Sequence, residues 1–94
     1  MRARYCAYVL QDSEFLLATW HPSTRPDAVL FTDDVSWNEL LVEEATGGAL
    51  DGRGTVVFRA RFHRGATPLE LYERSVFERT DGRWLYLEGT DPQS

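Results

Sequence analysis

The segment TVVFRARFHR, residues 55–64, alternates apolar and polar side chains. Val56, Phe58, Ala60 and Phe62 fall on one side, and Val57, Arg59, Arg61 and His63 on the other. Successive residues of a strand face opposite ways, so this stretch buries one side only as part of an antiparallel sheet with one covered face. The segment ERSVFERTDGRWLYLEG, residues 73–89, adds two more strands joined through Asp81-Gly82, a strong hairpin signal. A two-residue loop there sets Phe77 opposite Tyr86 and Arg79 opposite Trp84, whereas a three-residue loop from Thr80 to Gly82 sets Phe77 opposite Leu85. A slip of one residue exchanges the buried and exposed faces, and the sequence allows both registers. Gly47-Gly48 and Asp51-Gly52 upstream of residue 53, and Gly65 and Pro68 downstream, supply the turn chemistry.

Before residue 47 the spacing is helical. In ARYCAYVL, residues 3–10, Tyr5 and Val9 form an i,i+4 pair with Cys6 and Leu10 beside them, which predicts one amphipathic helix with that stripe inward. Gln11-Asp12-Ser13 interrupts it, and Asp12 or Ser13 can cap a second helix over 14–20, with Leu16 and Trp20 on one face and Phe15 beside them. Pro22 disfavours helical backbone at His21, so this helix must stop there. Residues 22–36 are expected to form an irregular connector with a helical turn near Val29 to Phe31, and with Arg25 paired to Asp33 or Asp34. Ser36-Trp37-Asn38-Glu39 matches a capping box and so allows a helix over 37–45. A strand over 39–46 is the reading adopted, on the resemblance given below.

With 94 residues, 43% hydrophobic and 27% charged, the composition predicts one folded domain over residues 1–94. The apolar runs are far too short to cross a bilayer and the N-terminus lacks a charged-then-apolar leader, so the cytoplasm is the expected compartment. The single cysteine, Cys6, excludes an internal disulfide and any thiolate zinc site, and is expected as a small buried hydrophobe. All ten basic residues are arginines, and fifteen acids bring the net charge to −5. That balance argues against nucleic acid or an anionic membrane as partner.

RYCAYVLQDSEFLLATWHPSTRP, residues 4–26, together with residues 73–89, resembles the YchJ family of bacterial proteins. The resemblance implies the family's middle domain, an α+β fold of the nuclear-transport-factor-two-like type. In that fold two N-terminal helices pack on a strongly curved antiparallel sheet of about four strands, a cone with a cavity between the layers. Relatives flank this domain with SEC-C motifs, short cysteine-rich zinc-binding segments, and Cys6 alone cannot supply one. The resemblance carries no catalytic residues.

The candidates for chemistry therefore come from the residues themselves. A general acid or base in such a cavity needs a carboxylate or imidazole with a tuned pKa, which points to His21 and Glu73. The competing role for His21 is to bond the last carbonyls of its helix. For Glu73, which alternates onto one face with Ser75 and Phe77, the competing role is a cross-strand pair with Arg59 or Arg61. Trp20, His21, Trp37, Phe77 and Trp84 are the expected pocket wall. No cofactor is implied, and His21 and His63 lack metal-ligand spacing. Nucleophile-elbow and phosphate-loop patterns are missing as well. The strip Arg59, Arg61, His63 and Arg64 has its aromatic neighbours Phe58 and Phe62 on the opposite face, which argues against base stacking and offers a contact for a second copy of the chain. The leading expectation is a non-catalytic binding or accessory module; the alternative is a small-molecule binder or acid/base enzyme that uses the cavity.

Overall fold

The computed structural model describes residues 2–31, 34–47 and 52–92. Two helices, α1 (Arg2–Leu10) and α2 (Ser13–Ala18), precede four strands, β1 (Val35–Thr46), β2 (Arg53–Arg64), β3 (Thr67–Thr80) and β4 (Arg83–Thr90). The strands form an antiparallel meander in the order β1-β2-β3-β4. This is the expected α+β architecture, with an open sheet.

The expected break between the helices has a simple physical cause. Gln11 adopts a left-handed φ of 55°, and the backbone N–H groups of Gln11 and Asp12 donate to the carbonyls of Tyr8 and Ala7. These bonds close the end of α1. The Asp12 carboxylate then accepts from the Phe15 N–H at 3.1 Å and caps α2. Helix α2 ends at Ala18, two residues earlier than expected, because the Thr19 hydroxyl turns back to the Phe15 carbonyl at 2.8 Å. Residues 19–21 then run beside β4. Thr19 accepts from the Tyr86 N–H at 2.8 Å and His21 donates to the Tyr86 carbonyl at 2.7 Å, which covers part of that sheet edge.

The face of α1 that turns inward differs from the expected stripe. Arg4 and Ala7 are buried, while Cys6, Val9 and Leu10 are exposed, so the cysteine is not a core residue. No helical turn forms over residues 29–31; the Phe31 ring instead packs edge-on against Tyr8. Among the described residues Arg25 donates to the Trp20 carbonyl, and Asp34 pairs with Arg64 at 3.6 Å rather than with Arg25. Asp33 and the turn residues Gly48 and Asp51 lie outside the described residues.

Strand β1 is the element whose sequence looked helical, and β-bulges explain the disguise. Its register with β2 shifts between Trp37 and Glu39 and again between Val42 and Glu44. Each extra residue restores the alternation after a step of three, so Trp37, Leu40, Val42 and Ala45 oppose Phe62, Ala60, Phe58 and Val56 on one face. A third bulge opposite Val76 and Phe77 skips Leu87. Bulges bend a strand and increase its twist, and they bow the sheet around the helices. The last hairpin uses the two-residue loop, with φ of 52° at Asp81 and 76° at Gly82 and Phe77 opposite Tyr86. Those angles are the left-handed pair of a type I′ turn.

Phe58, Ala60 and Phe77 are buried on the concave face, as their alternation predicts, and Leu16 of α2 is fully buried. Val57 departs from its expected exposure. It is buried on the outer face, where its cross-strand neighbours are the long side chains of Glu44 and Arg74. Because Leu16 has no exposure and Leu10 retains 76%, Leu16→Ala should cost about 2–5 kcal/mol and Leu10→Ala less than about 0.5 kcal/mol. Urea denaturation of the two variants measures the contrast.

Candidate functional site

A cavity of about 180 Å³ lies between α1 and the concave face of the sheet, with Arg4, Tyr8, Trp37, Phe58, Glu73 and Tyr86 among its walls. Arg4 and Tyr8 are four residues apart and so share one side of α1. Trp37 comes from β1 and touches both Tyr8 and Phe62, each through ring contacts. Tyr86 comes from β4 and meets the Phe77 ring edge-on at 5.8 Å.

Arg4 is 5% exposed, and its guanidinium stands over the rings of Tyr86 at 4.5 Å and Trp20 at 5.0 Å. Its Nη1 donates to the Leu16 carbonyl at 3.1 Å and to the Thr19 hydroxyl at 2.7 Å. A buried charge requires such partners, and here they also satisfy the end of α2. Burial pushes the guanidinium below its ordinary pKa, while Tyr8, Tyr86 and Glu73 act in the opposite direction.

Glu73 is half-buried on the same face, with Ser75 and Phe77. Its Oε2 accepts from the Ser75 hydroxyl at 2.7 Å, and Ser75 itself has no exposure. The carboxylate occupies the space left by the missing side chain of Gly89, where an added Cβ would overlap it. The expected pairing with Arg59 or Arg61 does not occur. Those arginines lie on the outer face, where Arg59 pairs with Glu43 and Glu70 and Arg61 with Glu39 and Glu70. His63 is bonded to Asn38 and Arg64 to Asp34, so the positive strip is balanced by acids and an amide of its own chain.

A second hollow of about 320 Å³ lies on the other side of Arg4, against Phe15, Thr19, Val56, Phe77 and Trp84. The residues expected to wall one pocket are therefore distributed. Trp37 lines the first cavity, Phe77 and Trp84 line the second, and Trp20 packs behind Arg4 with its ring edge-on to Tyr86 at 5.0 Å. Among the described residues, the Trp20 Nε1 is buried without a hydrogen-bond partner. His21 lines neither hollow. Its Nδ1 is 2.7 Å from the Ser23 hydroxyl and its Nε2 is 3.4 Å from Glu78, so the ring braces the connector against β3. It does not cap α2, whose last carbonyls go to Arg4 and Thr19. The residues missed by sequence reasoning are Arg4, Tyr8, Tyr86 and Gly89. The signal available for the first two was their i,i+4 spacing on α1, which the apolar stripe beside them obscured.

Two helices laid over the concave face of a bulged meander, with a cavity between the layers, define an NTF2-like domain. The chain belongs to the YchJ family, and residues 1–89 match the family model described as the YchJ middle NTF2-like domain. It is 46% identical over 90 residues to a UPF0225 protein of Streptomyces coelicolor, covering 95% of this chain and 69% of that protein. It is 40% identical over 98 residues to the UPF0225 protein YchJ of Shigella dysenteriae serotype 1, covering 99% of this chain and 64% of that one. The solution structure of a SEC-C motif containing protein from Rhodopseudomonas palustris superposes with a TM-score of 0.83 at 35% identity, over 97% of this chain and 74% of that chain. The chain thus spans about two thirds of the length of these relatives. Among the described residues no helix is long and apolar enough to cross a membrane.

Burial pushes the Tyr86 phenol up to about 12, with the Glu73 charge adding to the effect. A pKa raised above the ordinary value of 10.0 means that the folded state favours the neutral phenol. Its contribution to stability is complete below about pH 10 and disappears as pH rises through about 12. Ultraviolet difference titration should show this late phenol ionisation in the parent protein and lose it in Tyr86→Phe.

Proposed function

We propose that this domain is a non-catalytic binding module whose ligand seat is the cavity between α1 and the concave sheet face. The observation that supports this reading is the polar pair in its wall. A domain that needed only a core would be expected to fill this layer with apolar side chains, since burying a guanidinium is unfavourable unless it is fully partnered. Here Arg4 is held by α2 and two aromatic rings, and a glycine makes room for the Glu73 carboxylate. Both groups are fixed before any ligand arrives, which is what low-cost recognition requires.

A second reading, acid or base catalysis through Glu73, is favoured by the Ser75 hydrogen bond that orients the carboxylate. It would need turnover that Glu73→Gln abolishes. His21 has no part in either reading, because it stands outside the cavity with Ser23 and Glu78.

Proton–nitrogen correlation spectra recorded against a library of small polar fragments test the binding reading. Ala60 lines the cavity with 1% exposure, so Ala60→Leu should fill the space at a stability cost of about 1–3 kcal/mol. Fragments that shift the amides of α1, Glu73 and Tyr86 in the parent should fail to do so in the folded Ala60→Leu variant. Fragment shifts that persist in that variant, or a silent library, would overturn the proposal.

A further inference from the structure

The seat has a definite hydrogen-bonding character. An arginine can only donate and an ionised carboxylate can only accept, so Arg4 and Glu73 present a donor and an acceptor to whatever occupies the cavity. Among the described residues, neither takes part in an ion pair within 4.0 Å, so they are not spent on each other. The Arg4 bonds to Leu16 and Thr19 are made by Nη1, Tyr8 also bonds the guanidinium, and Ser75 bonds Oε2 of Glu73. The remaining walls include Tyr5, Tyr8, Trp37, Phe58 and Tyr86, whose rings supply flat apolar surface.

We infer that the cavity is built for a neutral, planar ring that carries an N–H donor and a carbonyl acceptor side by side, the edge of a lactam. This rests on the binding reading above and deepens it. The ring carbonyl accepts from the Arg4 guanidinium, its N–H donates to the Glu73 carboxylate, and its faces lie against the aromatic walls. An anion is attracted by Arg4 and repelled by Glu73, and an ammonium the reverse, so the opposed charges select against both. A purely apolar ring leaves the donor and the acceptor desolvated without partners.

Five probes separate these cases: α-pyridone, N-methylpyridone, benzoate, benzylammonium and toluene, each titrated into the protein and followed by amide shifts around the cavity. The expected order places α-pyridone first. Blocking its N–H in N-methylpyridone should weaken binding roughly 10- to 100-fold, as expected for loss of a hydrogen bond to a charged group. Glu73→Ala should bring the two pyridones to equal affinity. Should that variant fail to fold, the comparison of the two pyridones on the parent decides alone. Binding of benzoate, benzylammonium or toluene as tight as that of α-pyridone would overturn the ligand class and leave the cavity-binding reading intact. Silence from all five overturns the inference, and overturns the binding reading too only if the fragment library is also silent.

Discussion

The Arg4 guanidinium holds the two layers together. It reaches from α1, donates to the end of α2 and lies across the rings of Trp20 and Tyr86, so a single side chain joins both helices to β4. A charge at this depth is tolerated only while all of those contacts persist, because an unpartnered buried cation is strongly unfavourable. The contacts are also mutually dependent. Thr19 accepts from Arg4 through its hydroxyl, and through its carbonyl it accepts from the Tyr86 N–H. The residue that ends α2 is thus the residue that docks α2 on the sheet.

The sheet's irregularities give this arrangement its concave face. Three bulges in a four-stranded meander bend its strands, and Gly89 removes the one side chain that would displace Glu73 from the wall. Two hollows result, on opposite sides of Arg4, and they differ in character. The smaller contains the carboxylate and the tyrosines; the larger is bounded by Phe15, Val56, Phe77 and Trp84. On the outer face the charges are settled locally, with Glu70 held below the usual carboxylate range by Arg59 and Arg61. The unusual chemistry of the molecule is therefore concentrated inside the cone.

Much of the frame was legible in the residue order because it depends on short-range rules. The alternation of Phe58 and Ala60, the Asp12 cap and the Asp81-Gly82 turn each report a local backbone preference that the fold retains. The site was harder to see. Glu73, Ser75 and Phe77 could be placed on a common face by counting, but whether that face looked inward depended on the layer above it. Strand β1 was read correctly only through the family resemblance, because its bulges convert a period of two into steps of three, which hides the alternation. His21 did mislead. Its place at the end of an apolar run suggested a cap, but the chain turns two residues earlier and the ring faces Ser23 and Glu78.

By itself the sequence determined the family, the two opening helices and the alternation along β2, since all of these follow from patterns carried by neighbouring residues. The tertiary structure alone decided that an arginine would be buried while a cysteine, a valine and a leucine of the same helix stayed exposed. Hydrophobicity ranks those side chains in the reverse order. What overrides the ranking is the position of the α2 carbonyls and of the Trp20 and Tyr86 rings, which α1 meets only when residues from three separate elements are assembled.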